Sequence, residues 1–162
     1  MEQERFMVID NQKGVVIPLQ SEKTISIGKV KEIREEDENG ALFIFDIDDF
    51  KKLNDTYGHR VGDIFLKEFT GKLSLSFRTT DVLGRVGGEE FVIYLSGVGD
   101  NKHYLEEKAT QIQTICNSIR LDAAPEEEIS CSIGIAKFPA DAKTYTELYE
   151  KADVDIPVAV HY

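Results

Sequence analysis

The spacing of apolar residues changes from segment to segment along this chain, and each change marks an element. Ala41 to Ile47 reads ALFIFDI. So short and nearly continuous an apolar run predicts a strand buried on both faces. It follows the turn pair Asn39-Gly40 and runs straight into acids. Asp63 to Phe77 predicts an amphipathic helix: Phe65, Phe69, Leu73 and Phe77 recur every fourth residue, with Leu66 beside them. Val82 to Val86 and Phe91 to Leu95 are β-rich runs around Gly87-Gly88-Glu89-Glu90, which predicts a hairpin. Tyr104 to Ile119 predicts a second helix, with Leu105, Ile112, Cys116 and Ile119 on one stripe. Ile129, Cys131, Ile133 and Ile135 alternate with smaller residues, as in a strand. Thr144 and Glu147 fit a capping box and open a third helix. The order β-α-β-β-α-β predicts an α+β fold, a ferredoxin-like sandwich. At the ends, Phe6 to Pro18 predicts a hairpin turning at Asn11-Gln12-Lys13-Gly14, Thr24 to Ile33 has no firm period, and VDIPVAVHY after Asp153 predicts an extended tail broken at Pro157.

At 162 residues this is one domain by size, long enough to bury a core without disulfides or a structural metal. The formal net charge is −11. Such a field repels nucleic acid and anionic lipid, so neither is an expected partner. A polyanionic ligand must then be held by local features: metal ions, a few Lys or Arg, or backbone N–H groups. The runs Glu35-Glu36-Asp37-Glu38 and Glu126-Glu127-Glu128 read as solvated turns. No apolar run is long enough to span a bilayer, and the start MEQERFMVID lacks the basic and apolar parts of a signal peptide. Cys116 and Cys131 show no metal-ligand spacing. The expected location is the cytoplasm.

Three constellations carry candidate chemistry, and each has a plain structural alternative. Asp46, Asp48 and Asp49 end a strand, where carboxylates reach the sheet rim; Asp46 and Asp48 point to one side. Hard cations take such oxygens together with nucleotide phosphates, but the same acids also suit a helix N-terminus. Gly87 and Gly88 permit positive φ and close backbone approach, with Glu89 and Glu90 behind them; an ordinary turn reads the same way. Asn54, His59 and Asp63 follow Lys51. A carboxylate and an amide can read a guanine edge; equally, Asp63 can start a helix and Asn54 can sit in a turn. Together the first two sets favour a shared cation, because Asp46 and Glu89 on neighbouring strands would otherwise repel.

The joint pattern is recognisable. FDIDDFKKLNDTYGHRVGD, then RTTDVLGRVGGEEF, then CSIGIAKFPADAKTYTELYEKAD resembles the GGDEF family of diguanylate cyclases, across Ala41 to Asp153. The resemblance implies a palm-type nucleotide cyclase with a divergent N-terminal segment at 1–40, a GGDEF domain at 41–153 and an atypical tail at 154–162. It implies Mg²⁺ held by Asp46, Glu89 and the Ile47 carbonyl. Glu89 is then also the base for the ribose 3′-hydroxyl, supported by Glu90. Asn54 and Asp63 read guanine, Lys51 meets phosphate, His59 lines the same pocket, and Gly87 and Gly88 sit against the substrate. Two subunits, each holding one GTP, would face each other as a homodimer and yield cyclic di-GMP and two pyrophosphates. Arg78 and Asp81, in R-T-T-D, resemble the family's inhibitory product site.

The chain departs from the family pattern in three places. Near Gln111 the family often has a second arginine for the product site. Asp10-Asn11-Gln12-Lys13-Gly14 shares only its Asp and Gly with the usual D-x-L-T-G-L-x-N-R. After Ala152-Asp153 the phosphate-holding lysine of the usual last helix is missing. Loss of a cation at the triphosphate is expected to weaken GTP binding or slow turnover. The alternative reading is therefore a weak or silent GGDEF module that binds GTP or cyclic di-GMP as a sensor.

Overall fold

The computed structural model describes residues 39–78, 81–85, 89–98 and 101–154, and the backbone of 6–10, 15–18 and 25–26. The elements are β1 (Phe6–Asp10), β2 (Val15–Pro18), β3 (Ile25–Ser26), β4 (Gly40–Ile47), α1 (Phe50–Tyr57), α2 (His59–Ser76), β5 (Val82–Arg85), β6 (Glu90–Ser96), α3 (Lys102–Ser118), β7 (Cys131–Phe138) and α4 (Tyr145–Val154). The sheet order is β3-β2-β1-β5-β6-β4-β7. Its last four strands, β5-β6-β4-β7, are antiparallel neighbours throughout, which is the ferredoxin-like arrangement. The predicted N-terminal hairpin is present as β1 and β2, with β1 parallel to β5. Its turn at 11–14, the run at 35–38 and the tail beyond 154 lie outside the described residues.

Strand β4 lies between β6 and β7, and its side chains divide by parity. Ala41, Phe43, Phe45 and Ile47 enter the larger core with α1, α2 and α3. Leu42 and Ile44 enter a smaller core with Val92, Tyr94 and α4 residues Leu148 and Ala152. A strand covered on both faces needs apolar residues at nearly every position, hence ALFIFDI. Asp46 continues the α4 side of the alternation and interrupts it.

Aromatic packing pins the β4–β6 register. Phe45 stacks on Phe91 at 5.6 Å, and Phe69 meets both edge-on at 6.0 and 5.8 Å. Such pairs contribute about 1 kcal/mol each beyond burial. A one-residue slip of β6 against β4 would turn Phe91 to the other face and lose both of its ring contacts. The register they hold sets Asp46 opposite Glu90.

The helical stretch after β4 differs from the expectation. The predicted helix at 63–77 is longer, beginning at His59, and a separate helix α1 precedes it. Gly58, at φ 96°, joins the two; its left-handed backbone favours glycine and breaks the run. Asp63 is therefore inside α2 rather than at its start, which removes the capping role.

Candidate functional site

The ends of β4 and β6 bring the acids together. Asp46 and Glu90 are direct cross-strand partners, and the Ile47 N–H donates to the Glu89 carbonyl at 3.1 Å. Like charges directly opposed across strands are destabilising. The Asp46 carboxyl shows the strain: burial first, then the charges of Glu90, Glu89, Asp153 and Asp48, push it from its ordinary 3.8 up to about 6. Every one of those charges is negative. Glu90 accepts a hydrogen bond from the Tyr149 hydroxyl on α4, while Glu89 is exposed. Asp48, on the same side, is committed elsewhere: Ser130 and Ser132 hydroxyls each donate to it at 2.7 Å. Among the described residues no three His, Cys, Asp or Glu side chains are set to hold a cation alone. Gly87 and Gly88 lie outside the described residues.

The turn from β4 into α1 is tight. Asp49 takes a left-handed conformation at φ 55°, one that Asp tolerates better than most residues. Lys51 on the first turn of α1 and His59 at the start of α2 are exposed. Asn54 lies against Gly62: a Cβ at that glycine would overlap the Asn54 amide oxygen and stand 3.1 Å from Phe50 Cζ. The Asn54 Oδ1 is buried without a hydrogen-bond partner among the described residues. Such an acceptor carries a penalty of about 1–3 kcal/mol until something donates to it. Next to Gly62, Asp63 is exposed on α2 and faces Arg85 of β5, whose guanidinium burial lowers and Asp63 partly restores. A recess of about 360 Å³ is lined by these two residues with Arg60, Ile64, Lys67 and Thr70.

Arg78 and Asp81 form a separate, closed unit. Asp81 is 2% exposed. It accepts from the Arg78 backbone N–H at 2.7 Å and from its guanidinium at 2.9 Å. The same guanidinium donates to the Ser96 carbonyl at 2.8 Å, so the pair ties the end of α2 to β5 and β6. The carboxylate faces Arg78 rather than solvent; the guanidinium remains half exposed. Gln111, on α3, accepts from Lys108, whose ammonium lies 5.0 Å from the Phe77 ring.

Several site neighbours were missing from the sequence reading. Ser130 and Ser132 carry an i, i+2 strand signal that could have been paired with Asp48. Tyr149, Asp153 and Arg85 carry none, because only the packing of α4 and the order of the strands bring them near the acids or Asp63.

Comparison with known proteins agrees with this arrangement. The family model described as "Diguanylate cyclase, GGDEF domain" matches residues 22–159. Diguanylate cyclase DgcS of Shewanella oneidensis is 38% identical over 113 residues, covering 70% of this chain and 36% of that protein. Probable diguanylate cyclase DgcC of Escherichia coli is 34% identical over 124 residues, covering 75% of this chain and 32% of that protein. The chain thus spans about a third of the length of these curated relatives. The crystal structure of the GGDEF domain of PA1120 (YfiN or TpbB) from Pseudomonas aeruginosa superimposes with a TM-score of 0.70 at 30% identity, covering 78% of this chain and 81% of that one. With the acids gathered at one rim of a ferredoxin-like sheet and a family match across most of its length, this chain belongs to the GGDEF domain family of diguanylate cyclases.

Proposed function

We propose that the chain is a diguanylate cyclase domain that binds GTP with Mg²⁺ and, paired with a second copy, joins two GTP molecules into cyclic di-GMP and two pyrophosphates. The observation that carries this reading is the half-buried Asp46 carboxylate, set directly across the strands from Glu90 and acted on by the charges of Glu89, Asp153 and Asp48. Such a group is suited to a cation. Mg²⁺ takes one or two carboxylates with phosphate oxygens and keeps several waters, so no full protein cage is required. Asp46, Glu89 and the Ile47 carbonyl fit that donor set. When bound, Mg²⁺ supplies charge neutralisation for the triphosphate and eases loss of the ribose 3′ proton.

The chain's own residues do the rest. Glu89 takes the 3′ proton, and Glu90 supports it. The freed 3′-oxygen attacks the α-phosphorus of the GTP on the facing subunit; the α–β P–O bond breaks and pyrophosphate leaves. The reciprocal attack closes the ring. Lys51 meets phosphate, and Gly87 and Gly88 let the backbone approach the nucleotide. The Asn54 Oδ1 and the Asp63 carboxylate accept from the N–H groups of guanine, and His59 lines the same pocket. Adenine would leave these acceptors unpaired. The working unit is 41–153, flanked by the divergent segment 1–40 and the atypical tail 154–162, and its place is the cytoplasm, where GTP is available. At the product-binding, inhibitory site the half-exposed Arg78 guanidinium meets product, and the buried Asp81 holds that guanidinium in place.

A second reading is favoured by one sequence feature, the absence of a lysine after Asp153: a silent module that binds GTP or cyclic di-GMP. Incubation of the chain with GTP and Mg²⁺, with chromatographic analysis of products, decides between the two. The cyclase reading expects one cyclic di-GMP per two pyrophosphates, with a rate per subunit that rises with protein concentration. Calorimetric nucleotide binding without product supports the silent module. No binding of either nucleotide removes both readings.

A further inference from the structure

Helix α4 brings a phenol to the acidic rim. The Tyr149 hydroxyl donates to Oε1 of Glu90, the residue directly across the sheet from Asp46. The helix itself is firmly seated. Leu148 and Ala152 are 0% exposed in the smaller core against Leu42, Ile44 and Val92, and Tyr149 packs on the same cluster. Thr144 caps its first turn, donating to Glu147 at 3.0 Å and accepting from the Glu147 N–H at 3.2 Å. Strand register fixes where the Glu90 backbone sits. Its carboxylate, at the end of a long flexible side chain, would still sample several rotamers, and fixing one costs side-chain entropy.

We propose that Tyr149 is a positioning residue for Glu90: its hydroxyl occupies one carboxylate oxygen and holds the other toward the space shared with Asp46 and Glu89. This rests on the cyclase reading above. Outer partners that orient ligating or reacting groups in metal-dependent sites change metal affinity or activity by about 10–100-fold when removed. Phenylalanine keeps the ring and its packing and removes only the donor.

The test uses the full chain with Tyr149→Phe, Glu90→Gln and the double variant. Mn²⁺ affinity is read by calorimetry, GTP turnover by product analysis and folding by thermal midpoint. Tyr149→Phe is expected to leave the midpoint and the KM for GTP near wild type, and to lower Mn²⁺ affinity and kcat each by about tenfold. In the Glu90→Gln background the same change is expected to have no further effect on Mn²⁺ affinity. Wild-type affinity and kcat in Tyr149→Phe overturn the proposal, as does an undiminished effect in the Glu90→Gln background. A wild-type chain that neither binds Mn²⁺ nor makes product sinks the cyclase reading, and the positioning role falls with it; a working wild type with an indifferent Tyr149→Phe sinks the positioning role alone.

Discussion

Asp81 and Asp46 are both acids packed against the same sheet, and their surroundings are opposite. Asp81 is almost fully buried, yet a guanidinium and a backbone N–H converge on it. Asp46 is less buried, yet burial and the like charges of Glu90, Glu89, Asp153 and Asp48 drive its carboxyl up to about 6. Burial alone does not mark a working carboxylate. What separates the two is whether the protein itself supplies the compensating charge. Where it does, the pair is part of the scaffold. Where the described residues supply no such charge, as at Asp46, the proposed Mg²⁺ would supply it.

The sharpest way to break that contrast is at the acids. Asp46→Asn and Glu89→Gln are each expected to lower cyclic di-GMP formation by about a thousandfold, equivalent to about 4 kcal/mol of barrier, with the fold intact by circular dichroism. Activity within tenfold of wild type in either variant would mean that these carboxylates do not hold the ion.

At the closed pair the expected loss is stability instead. Arg78→Ala strands a buried carboxylate, and urea unfolding is expected to show a loss of about 3 kcal/mol. A change below about 0.5 kcal/mol, the usual size for an open surface position, would place Arg78 outside the scaffold.

Asn54 and Asp63 are intermediate cases, acceptors with a partner expected from a ligand. Asp63→Ala is expected to reduce the preference for GTP over ATP in competition binding by about 100-fold, or about 2.7 kcal/mol, because the guanine N–H groups lose their acceptor. Unchanged preference would remove Asp63 from base reading.

The smallest expected effect sharpens the contrast in the metal-free chain. The Asp46 carboxyl binds its proton more tightly folded than unfolded. Its contribution to stability is therefore present below about pH 4 and is lost as pH rises to about 6. At pH 7 Asp46→Asn is expected to stabilise the metal-free chain by about 1 kcal/mol, after allowance for solvent screening of a half-exposed group. Mg²⁺ is expected to raise the thermal midpoint of the wild type and leave that of Asp46→Asn in place. The opposite pattern in differential scanning calorimetry would refute the account of a strained carboxylate.

Some of this was legible because it is periodic. The double-faced strand ALFIFDI, the fourfold stripe Phe65, Phe69, Leu73 and Phe77, and the Thr144–Glu147 cap are local patterns with local causes, and each became the expected element. Helix α1 was not legible. Its eight residues, FKKLNDTY, bury only Phe50 and Leu53, too few to show a stripe. Missing it left Asp63 at a supposed helix start, when it lies within the first turns of α2.

By itself the sequence determined the elements other than α1 and β3, their order and the residue types at the rim, because periodicity, turn chemistry and short motifs act within a few residues. It could not place Glu90 opposite Asp46, Tyr149 over Glu90, Arg85 beside Asp63 or the Arg78 guanidinium on the Ser96 carbonyl. Those are contacts between distant segments. They were decided by strand register, which the Phe45, Phe69 and Phe91 rings hold, and by the seating of α4 on the opposite face of the sheet.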